Sequence, residues 1–205
     1  IDGNPPLKHL LSEGMHIVKN SHGRKLTEDE TIALLGSDTV GMIAGIEPLT
    51  ERVFAGARGL KVVSRCGSGL DSVDLAAAKR YGISVFNTPE APAQAVAELA
   101  MCMILAALRR ICEIDRLLRA GEWPRIQGGL LAAQTVGIVG LGRVGKRVAA
   151  LCQAFGAQVV AHDSYVEQSL PGVKLTTLPV LLAEASVVSL HLTYDAQTHH
   201  LLNAE

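Results

Sequence analysis

Residues 135–163 carry the pattern that most restricts how this chain can fold. Thr135-Val136-Gly137-Ile138-Val139 is apolar and β-branched, as a buried strand requires. Three glycines follow in Gly140-Leu141-Gly142-Arg143-Val144-Gly145. Val144, Val148, Leu151, Cys152 and Phe155 then recur three and four apart, which predicts a helix, and Gly156 closes it. A second strand over residues 158–162 delivers Asp163 at its C-terminal end.

Each residue type in this block has a physical job. Gly140 permits a sharp turn, Gly142 leaves room for backbone to approach a pyrophosphate, and Gly145 lets the helix pack close on the strand. The free N–H groups and the positive dipole end of the helix face the phosphates. Asp163 follows Gly142 by about 20 residues, where a carboxylate accepts hydrogen bonds from an adenosine ribose. It also repels a 2′-phosphate, and neither Ser164 nor Tyr165 supplies a cation to offset that. The cofactor expected is therefore NAD rather than NADP. Glycines alone often mark only a turn; strand, glycines, helix, strand and acid in this order are far more specific.

Charge and composition exclude other classes. Lys plus Arg is 19 against 20 for Asp plus Glu, a formal net charge of −1, and aromatic content is 3%. That balance lacks the basic footprint and the stacking platforms of nucleic-acid binders. No apolar run approaches the ~20 residues of a membrane span, and no signal peptide opens the sequence. Cys66, Cys102, Cys112 and Cys152 have no CxxC spacing and read as free thiols in a reducing cytosol.

The remaining chain predicts strands alternating with short helices, hence an open parallel α/β sheet. Helices are expected over residues 7–14, 27–35 (with Thr27 and Glu30 as a capping box), 49–57 and 74–81. Strands are expected over 16–19, 40–44 (buried), 60–65 and 83–86. Asn87-Thr88-Pro89-Glu90-Ala91-Pro92 is a proline-punctuated connection, and the domain boundary is placed there: 1–88 and 89–205. Val96, Leu99, Met103, Ala107, Ile111, Ile114 and Leu118 then predict one long apolar helix. It buries its faces either against its own domain and a partner subunit or simply as a core helix; the pattern does not choose. Further on come a strand over 173–176, a helix over 178–185 and a buried strand over 187–192.

Several of these segments together resemble a known family. Ser64-Arg65-Cys66-Gly67-Ser68-Gly69-Leu70-Asp71-Ser72-Val73-Asp74 is followed by Asn87-Thr88-Pro89 and by Ala95-Val96-Ala97-Glu98-Leu99. Gly121-Glu122-Trp123, the glycine loop with Asp163, and Val188-Ser189-Leu190-His191-Leu192 complete the set. The chain resembles the D-isomer-specific 2-hydroxyacid dehydrogenases, nearest to their phosphoglycerate dehydrogenase branch. The resemblance implies a flavodoxin-like substrate domain followed by a Rossmann-type NAD-binding domain. It implies hydride transfer between NAD and C2 of a small 2-hydroxy or 2-oxo acid, and a homodimer formed through the nucleotide domain, here residues 96–130. Carried over by position, Gly67, Ser68 and Gly69 would hold the substrate carboxylate, with Ser68 also near the nicotinamide. Gly140, Gly142 and Gly145 form the phosphate loop, Arg143 and Val144 would contact the pyrophosphate, Asp163 the ribose, and Leu192 and Thr193 the adenosine side.

The family's catalytic arginine, glutamate and histidine have no counterpart among these residues, so no catalytic residue is assigned. Its first strand, ahead of Ile1, and a closing helix are missing too, and the 205 residues are expected to be a piece of a longer polypeptide. The alternative is a non-catalytic NAD-sensing module that binds a protein partner. Other tempting residues have plainer explanations. His199-His200 point to different faces without a companion ligand set and read as surface residues, with no metal implied. His191 reads as structural or adenine-lining, Cys66 as a small apolar filler, and Asp71 and Asp74 as helix caps.

Overall fold

A computed structural model of the chain describes residues 4–168 and 170–203. It contains two compact units, Ile1–Thr88 and Pro89–Glu205.

The first unit begins with α1 (Pro5–Ser12), capped by the Asn4 side chain, and α2 (Glu28–Leu35). The capping box at α2 forms as the sequence predicts: Glu30 N donates to Thr27 Oγ1 at 3.3 Å, and Thr27 N donates to Glu30 Oε2 at 2.9 Å. A three-stranded parallel sheet follows, in the order β1 (Gly41–Ala44), β2 (Val62–Arg65), β3 (Ser84–Asn87). Helices α3 (Glu51–Gly56) and α4 (Leu75–Arg80) connect the strands. Asp74 caps α4, accepting from Ala77 N at 2.8 Å, so of the two aspartates expected as caps this one is seen in the role. Val63 is flanked across the register by Met42 and Val85, and this row faces a core of Val53, Phe54, Ala77 and Ile83.

Two expectations for this unit fail. Residues 16–19 are irregular, because an isolated alternating segment becomes a strand only with a ladder partner, and no described strand pairs with it. Residues 40–44 are not buried throughout: Ile43 is 60% exposed and lies in register with Ser64 and Phe86 on a face that no described element of the unit covers.

The second unit is built on a four-stranded parallel sheet in the order β6, β5, β4, β7: Val173–Leu175, Gln158–His162, Thr135–Val139 and Val187–Leu190. Ahead of it run α5 (Ala93–Leu108) and α6 (Ile111–Arg119); α7 (Arg143–Ala154) joins β4 to β5, and α8 (Leu178–Glu184) joins β6 to β7. The core gathers Val136, Ile138, Leu141, Val148, Ala149, Cys152 and Ala161, all with no exposed area.

The single long helix expected from residue 92 is two helices. Arg110 takes a left-handed conformation (φ 52°) between them, and the freed Leu108 carbonyl accepts from Gly129 N at 2.8 Å. The stripe buried within the unit is not the one formed by the large apolar residues. Ala93, Ala97, Ala100, Met101 and Ile104 are buried, while Leu99 and Met103 are each 58% exposed. Small side chains face inward because α5 packs closely along α7, and Cβ atoms permit an approach that leucines do not. The buried strand expected over 187–192 is the shorter β7, with Leu190 52% exposed, because an edge strand is paired on one side only.

Candidate dinucleotide site

Strand β4 pairs with β5 on one side and β7 on the other, so the chain reverses its direction of sheet growth there. A crevice outside the carboxyl ends of strands at such a reversal is where open α/β sheets take their ligands. The glycine loop, residues 140–142, leaves β4 at that point and enters α7.

Gly140 has φ +93°, and a Cβ there would lie 2.6 Å from the His191 carbonyl oxygen, so the turn admits only glycine. Gly145 lies under the loop: its Cβ would stand 2.0 Å from the Gly140 oxygen. Gly142 is the opposite case. It caps α7 with an unstrained φ of −76°, and a Cβ would meet nothing within 4 Å. Two glycines are needed by the protein's own packing, and the third keeps space open at a helix N-terminus.

Asp163 ends β5 and is tied to that loop. Its Oδ2 accepts from Leu141 N at 2.7 Å, and its Oδ1 accepts from Tyr165 N at 2.8 Å and Val166 N at 3.2 Å. The carboxylate thus sets the loop's shape as well as standing beside it, a role the spacing alone does not reveal. Arg143 opens α7, and its Nε donates to Glu90 Oε1; Val144 packs partly buried against the core. Leu192 borders the loop, since a Cβ on Gly140 would come within 2.9 Å of its Cδ2. Thr193 offers its carbonyl to Thr198 Oγ1 at 2.8 Å, in a turn where Asp195 accepts from the Gln197 and Thr198 N–H groups. Those two N–H donors hold the Asp195 carboxyl below its ordinary range. Tyr165 Oη donates to Gln197 Oε1 at 3.3 Å, joining the loops after β5 and β7. His191 is half-buried beside Ser189, 2.8 Å from its hydroxyl, and burial lowers its pKa. His199 and His200 stack on one another, with Tyr194 on His199, and the described residues hold no metal-binding group.

The other candidate loop belongs to the first unit. Gly67 has φ +142°. Its N–H donates to Thr88 Oγ1 at 2.9 Å, and its carbonyl accepts from Thr88 N at 3.0 Å. Asn87 Nδ2 donates to the Ser68 carbonyl at 2.8 Å. The segment Gly67-Ser68-Gly69 is therefore braced by Asn87, the last residue of β3, and by Thr88 after it. Cys66 is exposed, not the buried filler expected, because β2 ends at Arg65 and the next residue already lies in the loop.

Parallel sheet, reversal point, open glycine at a helix N-terminus and a braced acid define a dinucleotide-binding α/β protein. Residues 101–205 match the NAD-binding domain of the D-isomer specific 2-hydroxyacid dehydrogenases, and the chain belongs to that family. NAD is the cofactor of this domain, and the one glycine of the loop beside which an added Cβ would meet nothing is Gly142. The chain is 43% identical over 158 residues to a D-3-phosphoglycerate dehydrogenase of Mycobacterium leprae, covering 75% of this chain and 30% of the relative. It is 35% identical over 183 residues to a hydroxypyruvate reductase of Thermotoga maritima, covering 88% and 60% respectively. The structure superposes with a TM-score of 0.80 on D-lactate dehydrogenase from Aquifex aeolicus complexed with NAD and lactic acid, at 27% identity, covering 97% of this chain and 60% of that one. The chain thus spans between 30% and 60% of the length of these relatives.

Proposed function

We propose that this chain forms the cofactor-binding part of an NAD-dependent dehydrogenase acting on a D-2-hydroxy acid or its 2-oxo counterpart, with 3-phosphoglycerate and hydroxypyruvate phosphate the first pair to test. The observation that carries this reading is the open space at Gly142, bounded by a loop that Asp163 braces. Bound NAD supplies the hydride acceptor or donor. The amides of residues 141–145 and Arg143 bind its pyrophosphate, Val144 lies against it, Asp163 binds the adenosine ribose, and Leu192 and Thr193 line the adenosine side. Backbone groups of Gly67, Ser68 and Gly69 hold the substrate carboxylate, Ser68 near the nicotinamide.

Reaction at C2 also needs a cation on the substrate oxygen and a group that moves its proton. No residue placed here takes either role, and we infer that the 205-residue chain binds without turning over, as one piece of a longer enzyme. Relatives that the chain covers only in part support this. Leu99, Met103, Ile111 and Trp123, the last 89% exposed, support a homodimer through the nucleotide domain. Three exposed free thiols suit a cytoplasmic, reducing setting, and no helix among the described residues is long and apolar enough to cross a membrane. The reading is tested by assaying this chain and a version extended at both ends with NADH and hydroxypyruvate phosphate. Both should bind NADH and only the extended one should oxidise it; turnover by the 205-residue chain would contradict the division of roles.

A further inference from the structure

Arg143 is the first cation of α7, yet it is not free for a ligand. Its Nε donates to Glu90 Oε1, and the second oxygen of the same carboxylate lies 3.6 Å from Arg147 Nη2, one turn along the helix. Glu90 belongs to the short segment ahead of α5, far from α7 in sequence, so the fold and not helix periodicity brings it there. Arg143 and Glu90 are exposed and Arg147 partly so, and the arginines, Arg143 first, hold the Glu90 carboxyl below its usual range. This carboxylate is thus held by two guanidinium groups of the first turns of α7.

We infer that Glu90 competes with the dinucleotide pyrophosphate for Arg143 and thereby weakens cofactor binding. This rests on the cofactor reading above and adds a residue that the glycine-loop pattern does not contain. A pyrophosphate brings two negative charges to this end of α7. It must either draw Arg143 away from Glu90 or settle beside an ionised carboxylate, and each alternative costs affinity. The exchange also offers Arg143 a partner when the cofactor leaves, which favours release.

The test is titration calorimetry with ADP-ribose, which carries the adenosine and pyrophosphate without the nicotinamide. Glu90→Gln removes the charge and keeps the side-chain shape at an exposed position. It should bind ADP-ribose about three- to tenfold more tightly than the unaltered chain at low ionic strength, and the gain should shrink as salt is added. Adenosine, lacking phosphate, should bind the two proteins alike. Arg143→Gln should weaken ADP-ribose, and adding Glu90→Gln to it should recover less than Glu90→Gln gains alone, because the competed cation is gone and only the repulsion from the carboxylate is relieved. Equal affinity of Glu90→Gln and the unaltered chain for ADP-ribose would overturn the inference. Weaker binding would overturn it in favour of Glu90 as a support for Arg143. Failure of the unaltered, folded chain to bind either ADP-ribose or NADH would instead refute the cofactor reading, and the inference with it.

Discussion

Gly142, the N-cap of α7, and Gly145, in its first turn, stand three residues apart and should fail in different ways. Adding a methyl at Gly145 places Cβ 2.0 Å from the Gly140 carbonyl oxygen and 3.3 Å from Ile138 Cγ2. The oxygen is backbone and cannot rotate aside, so the first turn of α7 must lift until that gap passes 3.0 Å. Alanine gains about 1 kcal/mol over glycine in a helix, but overpacking a closed core costs about 1–3 kcal/mol and here displaces a main-chain segment. We expect Gly145→Ala to lose about 2 kcal/mol net, seen by circular dichroism as a fall of about 4–8 °C in melting temperature. Its loop is displaced, so NADH binding should weaken as well. At Gly142 an added Cβ meets nothing within 4 Å and φ is negative, so Gly142→Val should change stability by about 1 kcal/mol or less. Its side chain nevertheless fills the space the pyrophosphate needs, and NADH fluorescence titration should show affinity reduced by at least about tenfold, or about 1.4 kcal/mol. Gly145→Ala melting with the unaltered protein, or Gly142→Val binding NADH normally, would refute the packing argument.

Other outcomes follow from single groups. NAD should bind at least about tenfold more tightly than NADP, because Asp163 opposes a 2′-phosphate; Asp163→Ala should narrow the preference and also loosen the loop, since Leu141 N loses its acceptor, and calorimetry with both cofactors checks this. Glu30 is held down to about 2, first by the Arg24 side chain and then by Thr27 N. Because its folded value lies below the ordinary ~4.3, its stabilisation is complete above that value and disappears as pH falls towards about 2. Glu30→Gln should accordingly flatten the acid limb of a plot of melting temperature against pH. Burial pushes the Cys152 thiol up to about 11, whereas Cys66, Cys102 and Cys112 are exposed. A thiol reagent at pH 8 should label Cys66 in the native protein and Cys152 only after unfolding.

What the sequence reveals best is what short-range chemistry decides. The strand, glycines and helix at 135–154 and the capping box at Thr27 and Glu30 are local patterns, and each takes the form that its residues predict. Features that depend on distant partners are missed. The break at Arg110 has no glycine or proline to announce it; the Leu108 carbonyl is met instead by Gly129 N. The exposed stripe on α5 misleads because large apolar residues signal burial in general, while close packing on α7 selects the alanines. At the candidate site, the residues of the glycine loop and Asp163 are readable from spacing, but the bond from Leu141 N and the pairing of Arg143 with Glu90 are products of folding.

The central claim is that the loop around Gly142 holds a dinucleotide, and the most direct measurement is saturation of the folded 205-residue chain with NADH, followed by nicotinamide fluorescence and displaced with ADP-ribose. The account predicts one saturable site per chain, competed fully by ADP-ribose and abolished by Gly142→Val while the circular dichroism spectrum stays unchanged. Saturable binding that survives Gly142→Val, or no binding by a chain that unfolds cooperatively, would contradict it.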